Sequence, residues 1–80
     1  KFSYIIKIAD FYFKNSAETM IDRIKNETSL TIIRIENLSN TQYRVFLGPF
    51  NNINSLQKAF NDISTLEFEN IEIIKNDKNN

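Results

Sequence analysis

Tyr43-Arg44-Val45-Phe46-Leu47-Gly48-Pro49-Phe50 is the stretch on which the fold turns. With Gln42 ahead of it, its first part is rich in aromatic and β-branched side chains, which suit a pleated, half-buried surface, and it predicts a strand over Gln42–Leu47. Gly48-Pro49 should end that strand, because proline has no N–H for the ladder and glycine tolerates a turn. A second version of the pattern lies upstream. Phe50 stands 39 positions after Phe11, and at that offset Tyr43 meets Tyr4, Val45 meets Ile6 and Leu47 meets Ile8. The correspondence runs on: Asn54-Ser55 meets Asn15-Ser16, and Leu56, Ala59, Phe60 and Ile63 meet Ala17, Met20, Ile21 and Ile24. A register that survives both a strand and a helix implies a duplicated structural unit.

Working outward, Tyr4–Ile8 reads as the first strand, with Ala9-Asp10 as the turn that follows it. The apolar positions of each copy have the i, i+3, i+4, i+7 spacing that lines one helix face. They predict a helix over Ser16–Lys25, capped by Asn15 or Ser16, and a second helix capped by Asn52. Leu30–Glu36, where Ile33 and Ile35 alternate with Arg34 and Glu36, predicts the second strand. Asn37–Thr41 supplies a hairpin loop and Phe68–Ile74 the fourth strand. Two βαβ halves joined by a hairpin make a βαββαβ chain, an α+β ferredoxin-like arrangement with a four-stranded antiparallel sheet and two helices on one face. Strands 1 and 3 belong in the middle. Because side chains alternate along a strand, Tyr4, Ile6, Ile8, Tyr43, Val45 and Leu47 are expected toward the helices. Ile5, Lys7, Ala9, Arg44, Phe46 and Gly48 then fall on the open face.

Composition narrows the function. The chain has 80 residues, 41% apolar and 25% charged, enough for one core, so residues 1–75 are read as one domain and 76–80 as a frayed polar tail. Ten basic and ten acidic side chains cancel, and no stretch gathers Lys and Arg into a phosphate-binding footprint, so nucleic acid is not an expected partner. The sequence holds no Cys and no His, which removes thiol nucleophiles, imidazole bases and the usual zinc ligands. No cofactor and no catalysis are expected. Apolar runs are far shorter than the roughly 20 residues that cross a bilayer, so this domain is not expected to insert into a membrane. The chain starts at Lys1 without an initiator Met, as expected of a domain within a longer protein, and its Ile and Asn content fits an AT-rich genome.

The candidate site is the open sheet face. There Ile5 and Phe46 would lie between Lys7 and Arg44, and an aromatic ring flanked by donors suits stacking on a flat or sugar ring; the alternative is an ordinary cross-strand pair beneath a loop or the tail. Tyr12-Phe13 follow the first strand and are expected to pack against the first helix, with the border of the sheet surface as the alternative. Glu67, Glu69 and Glu72 read as a solvated acidic edge, because no regular spacing supplies further oxygen ligands. Asp10 and Lys7 lack a third group to complete a mechanism.

Arg44-Val45-Phe46-Leu47-Gly48-Pro49-Phe50, followed by small polar residues and an amphipathic helix, resembles the SPOR domain family, the sporulation-related repeat. Ile6-Lys7-Ile8-Ala9-Asp10-Phe11 with Ala17 resembles the family's first half, so the likeness spans nearly the whole chain. It implies a ribonucleoprotein-like βαββαβ fold and binding of bacterial peptidoglycan glycan strands stripped of stem peptides, in the periplasm or cell envelope and at the division septum. The family's strand-1 Gln and strand-3 Arg fall at Lys7 and Arg44. Taken with the open-face reading, the resemblance gives an expected glycan site of Ile5, Lys7, Tyr12, Arg34, Arg44 and Phe46, and a monomer is expected. Two other classes remain open: an RNA-binding sheet, which lacks here the Lys/Arg-Gly-aromatic string on strand 3, and a protein-interaction domain dimerising by sheet edges.

Overall fold

A computed structural model describes residues 1–77; residues 78–80 of the expected tail lie outside them. The elements run β1 (Tyr4–Phe11), α1 (Lys14–Glu27), β2 (Ile33–Ser39), β3 (Gln42–Phe50), α2 (Ile53–Ser64) and β4 (Glu72–Lys75). The strands form one antiparallel sheet in the order β2-β3-β1-β4. This is the ferredoxin-like arrangement expected from the repeat, with β1 and β3 central.

The core lies between the sheet and the two helices. Ile6, Ile8, Val45, Leu47 and Phe50 from the sheet pack with Ala17 and Ile24 of α1 and Leu56, Ala59 and Ile63 of α2, all buried. That is the face expected to be covered. Asn52 caps α2 by accepting a hydrogen bond from the Ser55 N–H at 2.8 Å, satisfying one of the orphan donors of the first turn.

Several boundaries differ from those expected, each for a local reason. Gly48-Pro49 does not end β3, which runs on to Phe50. Between the pairs Ile6↔Leu47 and Tyr4↔Phe50, β3 takes three steps while β1 takes two. The missing proline N–H falls inside that bulge, where the ladder does not need it. The bulge also brings Phe50 inward with Leu47. Gly48 is buried at φ +109°, and a Cβ there would sit 2.9 Å from the Phe50 ring, so the position requires glycine.

β1 likewise passes through the expected turn. From Lys7↔Phe46 to Ala9↔Val45, β1 advances two residues and β3 one, a second bulge that leaves Ile8 as the extra residue. Beyond it the faces exchange. Ala9, expected on the open face, packs against the core opposite Val45, and Asp10 joins the open face opposite Arg44.

α1 starts at Lys14 with Phe13 at its N-cap and no side-chain cap bond, so neither Asn15 nor Ser16 caps it; both lie within the helix. β2 begins later and runs further than expected, leaving Asn40-Thr41 as the turn. β4 is confined to Glu72–Lys75, because Glu67 takes a left-handed conformation at φ 59° and Phe68 turns back to receive the Arg23 guanidinium 4.9 Å from its ring centroid. Asn76 is tied down rather than frayed. Its N–H donates to Ser3 O at 2.9 Å and its side-chain amide to Ser3 Oγ at 3.1 Å.

Candidate functional site: the open face of the sheet

Cross-strand pairing sorts the open face into rows. One row reads Arg34–Phe46–Lys7–Glu72 across β2, β3, β1 and β4, and the next reads Glu36–Arg44–Asp10. A third pair, Ile5 and Ile74, lies beside the first row on β1 and β4. Directly opposed side chains on one sheet face are close enough to act on each other. These rows hold three cations and three carboxylates around one aromatic ring, so the face is strongly polar yet balanced in charge.

Ile5, Phe46 and Ile74 line a groove of about 480 Å³ whose walls include Arg34, Glu36 and Arg44 on one side and Pro49 with the Asn76–Asp77 segment on another. It is larger than the cleft of about 190 Å³ between segment 29–32 and α2. Four of the expected residues, Ile5, Arg34, Arg44 and Phe46, thus meet in one concavity. Lys7 shares the face but does not line the groove; it lies beside Asp10, Nζ to Oδ2 at 3.7 Å. Tyr12 stands past the end of β1. It and Phe13 do not pack on α1 as expected: they are 61% and 63% exposed and touch each other edge to face at 4.7 Å. The core side above them is already filled, and Phe11, the last residue of β1, takes the inward position opposite Tyr43.

The residue that sequence reasoning missed is Asp10. Arg44 donates to it twice, Nε to Oδ1 at 2.8 Å and Nη2 to Oδ2 at 3.0 Å, and Gln42 Nε2 adds a third bond to Oδ2 at 2.9 Å. The carboxylate and guanidinium side chains are 24% and 23% exposed. Arg44's hydrogen bonds hold the Asp10 pKa down to about 2 from an ordinary 3.8, against the opposing effect of burial, with Gln42 and Lys7 acting in the same sense. The same contact raises the Arg44 pKa. The pair is therefore ionised across the whole physiological range. A pairing signal existed in the sequence only as Asp10 next to Lys7; the bulge that aims Asp10 at Arg44 leaves no short-range signature.

Chemically, such a surface can stack a ring on Phe46 and offer N–H donors around it. Among the described residues no three acidic side chains are grouped to hold a metal ion, and no helix is long and apolar enough to cross a membrane.

The SPOR domain family model matches residues 1–72. The chain belongs to the SPOR domain family. SPOR domains are binding modules for peptidoglycan and occur in bacterial envelope proteins. No curated protein and no solved structure gives a significant match. Within this SPOR domain, the string that carries the likeness, Arg44 to Phe50, supplies one wall of the groove, its aromatic floor and the Gly48-Pro49 bulge.

Proposed function

We propose that this SPOR domain is a non-catalytic module for peptidoglycan glycan strands lacking stem peptides, and that it directs a parent envelope or division protein to the septum in the periplasm. The observation that carries the reading is the placement of Phe46 on the groove floor between Arg34 and Lys7 in one row, with Ile5 and Ile74 beside it and Arg44 in the next. A sugar ring stacks its C–H face on an aromatic ring, and its hydroxyl and acetamide oxygens accept from Arg34 and Arg44. Lys7 and Tyr12 border the site. The balance of Arg34, Lys7 and Arg44 against Glu36, Asp10 and Glu72 supports a ligand other than the nucleic-acid backbone, which needs an excess of cations. The domain acts as a monomer, its folded unit residues 1–75 together with Asn76, which is tied to Ser3.

Sedimentation with amidase-treated sacculi tests this. The chain should pellet with treated sacculi, pellet less with untreated ones, and stay in solution when Arg44→Ala and Phe46→Ala are combined. Undiminished pelleting of that double variant would rule out the groove.

A further inference from the structure

Arg44 carries the fork of N–H groups that matches a carboxylate, and a groove built around such an arginine is ordinarily suited to anionic ligands. Here one edge of that fork, Nε with Nη2, is already filled from within. Asp10 accepts from both Nε and Nη2 at 2.8 and 3.0 Å, in the two-point geometry an external carboxylate would use. Gln42 closes over the second oxygen at 2.9 Å, and Glu36 stands across the ladder on the other side of Arg44. An incoming carboxylate would have to displace Asp10 or take the Nη1–Nη2 edge of a guanidinium whose charge Asp10 already balances, with Glu36 on the neighbouring strand.

We infer that Asp10 is a selectivity residue: it occupies the Nε–Nη2 edge of Arg44 and balances its charge, so that the groove reads the amides and hydroxyls of a sugar ring and gains nothing from a carboxylate on it. A carboxylate held within the site removes the attraction an external one would find there, which is a direct way to set specificity. The inference rests on the glycan reading above and sharpens it. Cleaving a stem peptide from its sugar leaves a free carboxylate on the lactyl group, and the recognition proposed here does not use it. The domain reads the acetamide and hydroxyl groups of the rings instead, and a chain made only of N-acetylglucosamine satisfies it as well as one with alternating muramic acid. The depressed pKa of Asp10 keeps the carboxylate charged at any pH the domain meets.

Two readouts on the 80-residue chain and its Asp10→Asn variant test this, with Asp10→Ser as a second variant. Acetate is titrated while the Arg44 Nε–H resonance is followed by NMR. It should leave the wild type unmoved and shift the variants. An equal shift in the wild type would overturn the assignment of Asp10. In parallel, affinities are measured for tetra-N-acetylchitotetraose and for the peptide-free tetrasaccharide of alternating N-acetylglucosamine and N-acetylmuramic acid. The wild type should bind the neutral chain at least as well as the acidic one, and the variants should shift the ratio about tenfold toward the acidic chain. A wild type that prefers the acidic chain tenfold, or a ratio unchanged by the variants, sinks the proposal. If neither sugar binds any form while the acetate difference persists, the plugged fork stands and the glycan reading falls.

Discussion

Asp10 and Arg44 are 34 positions apart in the chain and meet as a two-point ion pair on the open face of the sheet. Their meeting depends on one inserted residue in β1: without the bulge at Ile8, the alternation of the strand would turn Asp10 toward the helices, where an unpaired carboxylate is costly to bury. The pair is thus a product of register.

Acid should weaken that pair in a defined window. A carboxyl group whose folded pKa is depressed contributes stability above its unfolded value and loses it as pH falls through the folded value. For Asp10 the contribution is complete above about pH 4 and vanishes as pH falls through about 2. At neutral pH, Asp10→Asn should cost about 1 kcal/mol, as expected of a pair near the surface. Urea denaturation of both proteins from pH 7 to pH 2 should show their difference shrinking toward zero at the acid end; a constant difference would contradict the pairing.

Gly48→Ala should lower stability by about 1–3 kcal/mol, since it combines a positive φ with a Cβ 2.9 Å from the Phe50 ring. For a domain of this size each kcal/mol moves the melting temperature by about 4–8 °C. Thermal unfolding followed by circular dichroism reads the shift, and a variant that melts with the wild type would show that the bulge relaxes freely.

The two asparagines suggested as helix caps should behave differently. Asn52→Ala removes the acceptor of the Ser55 N–H and should cost about 1 kcal/mol. Asn15→Ala lies inside α1, where no side-chain cap bond forms, and should stay within about 0.5 kcal/mol of the wild type. Equal losses in chemical denaturation would contradict the observed start of α1.

Burial separates two helical isoleucines. Ile24→Ala opens a cavity in the core, where the side chain is fully buried, and should cost about 2–5 kcal/mol. Ile53→Ala removes a side chain that is largely exposed at the start of α2 and should change stability by less than about 0.5 kcal/mol. The two midpoints in urea give the comparison directly.

The order of elements, the duplicated halves and most of the core were legible in the amino-acid sequence, because hydrophobic spacing is a local consequence of helix and strand geometry. Ile6, Ile8, Val45, Leu47, Ala17, Ile24, Leu56, Ala59 and Ile63 all sit where that spacing puts them, and Ile5, Arg34, Arg44 and Phe46 share the groove the open face was expected to carry. Phe60, in the same apolar series, instead lies at the rim of α2 at 36% exposure, since the narrow sheet with its short β4 leaves that side of the helix uncovered.

What tertiary structure alone decided was phase. A bulge shifts one strand by a residue against its partner and exchanges the faces of everything beyond it, and which strand carries the extra residue shows only in the pairing, even where, as at Gly48, the bulge needs a particular residue. This is why Ala9 moved inward, Asp10 moved out to Arg44, and β3 continued through Gly48-Pro49 to bury Phe50. Spacing along one strand reports which side chains share a face only until the partner strand inserts its own count.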